Sequence, residues 1–159
     1  MKFLAVLAAV AIVAASPASA ADLDFVGFFL GRTHGENEVK VALRKPVRQV
    51  TNSIGQKAAN GDLILIDTIK EEGRPVKTRR WVMRAAGANR FTGSMSDAVT
   101  PVEVRVHGRT ATLQYKVKGG ISVNQTLTIR DSNTVTNHVA AKKLGVRLGR
   151  LEGTIRKLD

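Results

Sequence analysis

Cysteine is absent from the 159-residue chain. That excludes a disulfide framework, a thiolate metal site, a cysteine nucleophile and a lipid attached through sulfur. Aromatic residues make up only 4%, with one Trp, one Tyr and five Phe. A stacking platform for nucleic acid needs aromatics interleaved with basic side chains, so nucleic acid is not an expected partner. Acidic residues are also scarce, 13 against 25 Lys and Arg, giving a formal charge of +12. Such a surplus favours acidic partners and says nothing about fold.

Long apolar runs are lacking too. The longest, Phe3 to Ala15, has 13 residues, and a membrane-spanning helix needs about 20. It follows the basic start Met1-Lys2 and precedes Ala18-Ser19-Ala20, an A-x-A cleavage pattern. Residues 1–20 are therefore expected to be a cleaved signal peptide, leaving 21–159 as one domain. Loss of Lys2 alone takes the charge from +12 to +11. The expected location is the periplasm, by export, with secretion as the variant. The protein is not expected to be an integral membrane protein, nor a lipoprotein.

What the rest of the chain has is alternation. Val102, Val104 and Val106 alternate with Glu103, Arg105 and His107. Ala111, Leu113, Tyr115 and Val117 alternate with polar residues in the same way. This period of two is that of half-buried strands. Turn residues at Asn60-Gly61, Glu72-Gly73, Gly87, Gly108-Arg109, Gly119-Gly120 and Asp131-Ser132-Asn133 separate the runs. The spacing predicts strands at 38–44, 47–54, 62–70, 76–85, 90–97, 102–107, 110–118, 121–130, 134–142 and 146–157. A two-residue loop at Gly108-Arg109 sets Val106 against Ala111. A three-residue loop at 118–120 sets Val117 against Ile121, so apolar faces coincide in both hairpins. Ten antiparallel strands in meander order predict an all-β, up-and-down barrel, which hides its edges. A two-sheet sandwich is the alternative. The apolar stretch Asp24–Leu30 is expected to form a short helical turn or lid over one end.

The chain resembles an uncharacterised family of bacterial envelope proteins, a domain of unknown function found often in lipoproteins. The resembling stretches are Phe28-Phe29-Leu30-Gly31, the run from Gly61 to Asp67, Arg80-Trp81 and Phe91-Thr92-Gly93. Asp97, Tyr115, Asn137 and the run from Lys143 to Val146 follow in order. The resemblance implies a lipocalin-like (calycin) barrel and an envelope location, and it brings no known activity. Where many members carry a lipidated cysteine after the signal, this chain has Ala21.

Catalytic signatures are missing. His34, His107 and His138 sit in separate segments without ligand spacing, so no metal site is expected. No G-x-S-x-G elbow and no phosphate-binding glycine loop occurs, so neither a catalytic residue nor a cofactor is assigned. The informative residues are polar ones on the predicted inner face. A loop at Glu71–Arg74 pairs Asp67 with Thr78 and Leu65 with Arg80, and the next loop sets Arg80 against Met95. Asp67, Arg80 and Asp97 then form a charged cluster on an apolar face, where an unpaired charge is costly. Tyr115, Gln125 and Asn137 share the inner face farther along. Trp81 falls on the opposite face, beside Ile64 and Ile66, with the 25–30 segment as the expected cover and an exposed apolar patch for a partner as the alternative.

Three function classes follow from these residues. The first is a non-enzymatic binding module for a lipid-like or largely apolar ligand, held by Asp67, Arg80, Asp97, Met95, Tyr115, Gln125 and Asn137. The second is an envelope interaction protein with a filled barrel, meeting anionic lipid, lipopolysaccharide or a protein through its basic outer face. The third is a carboxylate-dependent hydrolase using Asp67 and Asp97.

N-terminal sequencing of protein recovered from its own host is expected to begin at Ala21, in the soluble fraction. A membrane-bound product retaining residues 1–20 contradicts the export reading.

Overall fold

The structure, a computed structural model, describes residues 21–159, and the expected signal segment lies outside them. Ten strands follow one helix. They are β1 (Gly31–Val41), β2 (Val47–Lys57), β3 (Leu63–Glu71), β4 (Lys77–Gly87), β5 (Arg90–Met95), β6 (Val102–His107), β7 (Thr110–Val117), β8 (Ile121–Asp131), β9 (Thr134–Lys143) and β10 (Val146–Lys157). Every neighbour in sequence pairs antiparallel, and β1 pairs with β10 from Thr33↔Lys157 to Val41↔Gly149. The sheet is a closed barrel. Closure leaves no free edge and rules out the sandwich.

The β6–β7 and β7–β8 registers are those the alternation dictates: Val106↔Ala111, Val104↔Leu113, Tyr115↔Val123 and Val117↔Ile121. The first strand runs over Gly31–Val41 where 38–44 was expected. Its inward positions are Thr33, Gly35 and Asn37, all buried, so polar and small residues replace the apolar beat that marks a strand. Closure by β10 holds this segment in place despite its weak local signal.

The largest correction concerns β4. The observed pairs are Asp67↔Arg79, Ile66↔Arg80, Leu65↔Trp81 and Trp81↔Met95. Relative to the expected register the strand is shifted by one residue, and a one-residue shift exchanges its two faces. Arg80 therefore points outward and is exposed, whereas Trp81 and Met83 are buried. The cause is the parity of the connection. Arg74 N–H donates to the Glu71 carbonyl at 3.1 Å, and Gly73 takes φ +76°. This turn seats Ile69 opposite Lys77 rather than Val76.

The helix α1 (Phe25–Phe29) is capped by Asp24, whose Oδ1 accepts from the Gly27 N–H at 2.9 Å. Phe25, Phe28 and Phe29 are buried. Phe25 packs on Phe91 with ring centres 5.3 Å apart. Lys157 Nζ donates to the carbonyls of Phe28 and Leu30. A side chain at Gly55 would strike the Phe29 carbonyl oxygen, so this inward position must lack a Cβ. α1 thus plugs the end of the barrel where β2 meets β3. It does not cover the outer wall, where Ile54 and Ile66 stand exposed opposite each other.

The two faces of β4 make the register testable. Trp81→Ala is expected to destabilise the fold by about 3 kcal/mol or more, as large buried aromatics do. Arg80→Met is expected to stay within about 0.5 kcal/mol, as exposed changes do. Urea midpoints with the reverse ranking contradict this register.

Candidate functional site

Closed below by α1, the barrel opens at the opposite end, where the β1–β2, β3–β4, β5–β6, β7–β8 and β9–β10 connections form the rim. Ten strands make a ring wider than their inward side chains fill. The result is a cavity of about 720 Å³. Its depth is apolar: Phe25 and Phe29 form the floor, and Leu63, Met83, Leu113 and Leu127 are among the walls.

Polar groups concentrate on the β3–β5 wall. Asp67 is buried and accepts from Ser53 Oγ at 2.7 Å and from Trp81 Nε1 at 2.8 Å. Burial pushes its carboxyl above the ordinary value of 3.8, against the opposing pull of those two donors and of Arg79. Arg79 stands directly across from it on β4. Nearer the rim, Asp97 Oδ2 lies 2.6 Å from Lys77 Nζ and 3.3 Å from Arg79 Nε. Burial acts to raise the Asp97 carboxyl as well, but the two cations outweigh it and hold it below 3.8. The Arg79 contact is an ion pair by distance only. Its Nε is buried and too poorly aligned to hydrogen-bond within the protein, so Arg79 and Asp97 attract by charge alone.

Tyr115 joins this wall from β7. It meets Trp81 edge-to-face at 5.8 Å, and burial raises its phenol above the ordinary value of 10.0. Across the cavity, Gln125 Nε2 donates to Asn137 Oδ1 at 2.8 Å, and Asn137 Nδ2 donates to Asn37 Oδ1 at 3.3 Å. These amides satisfy one another and form a polar belt at mid-depth.

Six of the seven sequence-predicted residues therefore line one cavity: Asp67, Asp97, Met95, Tyr115, Gln125 and Asn137. The seventh, Arg80, is a correction. It faces outward, and Arg79 holds the place between the two carboxylates. Lys77, Arg79, Ser53, Asn37 and Trp81 are lining residues that the sequence reading placed elsewhere or passed over. The signal for Arg79 and Trp81 lay in the loop parity; Ser53 and Asn37 sit in strands whose inward beat is polar. Among the described residues, no three His, Asp or Glu side chains converge as metal ligands.

The family model of DUF3833, a protein of unknown function, matches residues 4–157. No curated protein matches the chain. The solved structures that share the architecture include the following two. One is a protein of unknown function from the DUF3598 family of Nostoc punctiforme, at 15% identity and a TM-score of 0.68. That match covers 91% of this chain and 53% of the other, so the chain spans about half its length. The second is the S-type phycobiliprotein lyase CPES from Guillardia theta, at 8% identity and a TM-score of 0.69, covering 86% of this chain and 92% of that one. At these identities the likeness is one of fold, that of a calycin-like barrel.

Asp67 makes stability depend on pH with a known sign. Its folded carboxyl holds a proton more tightly than the unfolded chain does. Stability should therefore fall as pH rises from 3.8 through the raised folded value. Asp97, with its lowered value, acts in the opposite sense and loses its contribution as pH falls. Urea midpoints of wild type and Asp67→Asn over roughly pH 3.5 to 6.5 isolate the first effect. The difference should move in favour of Asp67→Asn as pH rises, and a pH-independent difference contradicts the buried carboxylate.

Proposed function

The chain belongs to the DUF3833 family of proteins of unknown function, and we propose that it is an exported, non-enzymatic binding module for an amphipathic small molecule. The ligand's apolar body fills the barrel, and its acceptor-bearing head, a carboxylate or a phosphate, meets Arg79 near the mouth. The observation that carries this reading is the Arg79 guanidinium. It lines the 720 Å³ cavity with about a quarter of its side chain accessible (26%), and it pairs with Asp97 by charge without an aligned hydrogen bond. A pocket of this size falls within the range of about 300–1,000 Å³ for small-molecule sites. Lys77, Arg79 and Lys118 against Asp67 and Asp97 leave the lining with one surplus positive charge, which favours an anionic head. A planar guanidinium suits a two-oxygen acceptor.

The hollow interior argues against the filled-barrel alternative, whose inward side chains would have to meet across the axis. Hydrolysis by paired carboxylates is disfavoured by the state of the two groups. Asp67 gives both oxygens to donors within the protein, and Asp97 is held ionised between Lys77 and Arg79. Neither is poised to pass a proton to a substrate. Export rests on the signal-peptide pattern of residues 1–20.

A fluorescent fatty acid such as cis-parinaric acid tests the proposal. Wild type should bind it, with emission enhanced in the apolar cavity. Arg79→Met should weaken binding by about tenfold, the size expected on losing a hydrogen bond to a charged group. Arg79→Lys should restore part of the loss, and Arg80→Met should bind as wild type. Met95→Trp, which fills the cavity, should abolish the signal. Absence of binding by wild type, or equal effects of Arg79→Met and Arg80→Met, overturns the assignment.

A further inference from the structure

The open rim is built unlike the rest of the surface. Of the nine large hydrophobic residues exposed among those described, six lie there: Val41, Leu43, Val76, Val99, Leu144 and Val146. Leu43 and Leu144 are essentially wholly exposed, at 104% and 94%. They occupy the tips of the β1–β2 and β9–β10 hairpins. These hairpins are neighbours, because β1 and β10 pair to close the barrel, and the Ala42 N–H donates to the Leu148 carbonyl at 2.9 Å.

Both tips carry backbone that their side chains disfavour. Leu144 has φ +50° and Ala42 has φ +38°. A branched residue in the left-handed region is strained, and Asn or Gly would be the ordinary occupant of such a turn. A leucine held there, fully in water, contributes nothing to the barrel's own packing. Around the two tips and the adjoining rim stand Arg44, Lys45, Lys118, Lys142, Lys143 and Arg147. All are exposed, and none has a carboxylate partner among the described residues. The aspartates gather at the other end, where Asp22, Asp24, Asp62, Asp131 and Asp159 flank the plug. There Asp159 and Asp62 pair with Arg32 and Arg84, and Arg109, Arg130, Arg156 and Lys157 stand among the aspartates, so charge is largely offset at the closed end and left unpaired at the mouth.

We propose that the rim docks on an anionic phospholipid bilayer, Leu43 and Leu144 entering the headgroup–acyl boundary while the surrounding Lys and Arg meet lipid phosphates. Apolar tips inside a cationic ring have the two-part chemistry of interfacial membrane binding, apolar insertion combined with attraction to anionic lipid. Docking in this orientation turns the cavity mouth toward the membrane. It thereby names the source of the ligand in the reading above: the ligand enters from the bilayer. That last step rests on the ligand-binding reading, whereas docking itself does not.

Vesicles of phosphatidylglycerol with phosphatidylcholine, and of phosphatidylcholine alone, test docking by co-sedimentation at low and high salt. The informative variant is Leu43→Asn with Leu144→Asn. Asn suits the left-handed turn at 144, so thermal stability should be at least that of wild type, while partitioning onto anionic vesicles should fall by more than about tenfold. Because the chain has no cysteine, Leu144→Cys and, on the outer wall, Ile54→Cys each accept a single environment-sensitive fluorophore. Anionic vesicles should blue-shift the label at 144 and leave the label at 54 unchanged. Binding should be stronger to the anionic vesicles and weaken with salt.

Three results overturn the proposal. One is no binding to anionic vesicles. A second is binding that survives the double Asn variant with the blue shift at 54. The third is binding to soluble polyglutamate as tight as to vesicles with no blue shift at 144, which marks an acidic protein partner. Met95→Trp separates the two ideas, since it should lose the fatty-acid probe and keep vesicle binding. Loss of vesicle binding in the Asn variant with intact probe binding completes the distinction.

Discussion

Pairing of β1 with β10 is the constraint on which the rest of this structure depends. It converts a ten-strand meander, which would otherwise leave two unpaired edges, into a ring. A ring of ten strands has a circumference its inward side chains cannot span, so closure and cavity are one geometric fact. The same pairing accounts for the polar belt. Asn37 on β1 is brought to Asn137 on β9 across β10, at a sequence separation of 100 residues. Gly153 on β10 makes room for it, because a Cβ there would run into the Asn37 side chain and the Glu36 carbonyl.

Plugging one end gives the cavity a direction. The plug is short, five residues, and such a helix is unstable alone. It is held by what surrounds it: the Asp24 cap, the ammonium of Lys157 on its last carbonyls, and the aromatic contacts among Phe25, Phe28, Phe29 and Phe91. Three of the chain's five phenylalanines lie in α1 and a fourth packs against it. Apart from Trp81 and Tyr115, this concentration leaves the apolar walls to aliphatic side chains and methionine, which suit a pocket that must accommodate an irregular apolar shape.

Much of the fold was legible in the sequence, and the boundary between the legible and illegible parts is physical. β6 to β8 announce themselves because one face is apolar and the other polar, and turn chemistry at Gly108 and Gly119-Gly120 fixes their registers. β1 did not, because its inward Thr33, Gly35 and Asn37 carry no hydrophobic beat; its place is set by partners far away in sequence. β4 was read on the wrong face for a subtler reason. Its residues Arg79 to Met83 contain apolar groups on both faces, Trp81 and Met83 on one and Val82 on the other. The alternation could not choose between them. Only the turn at Glu71–Arg74 decides, and the expectation of an Arg between Asp67 and Asp97 was right in chemistry and wrong by one residue. In an antiparallel sheet, that single residue is the difference between the cavity and the solvent.

Charge placement ties these features together. In a folded barrel, outward strand positions must be polar, and most of the basic surplus is explained by that requirement alone. It does not explain how the charges are paired along the axis. Five of the seven aspartates flank the closed end, while the remaining two, Asp67 and Asp97, line the cavity. At the mouth the carboxylates are Glu71, Glu72, Glu103 and Asp97, with Glu71 bound to Arg74 at 3.0 Å. Neither end is negative overall; what sets the mouth apart is that its cations lack carboxylate partners among the described residues, whereas Arg32 and Arg84 at the closed end are paired with Asp159 and Asp62. A negative surface attracts unpaired cations more strongly than paired ones, so it favours approach by the end that carries them. On this chain that end is the one where the barrel is open.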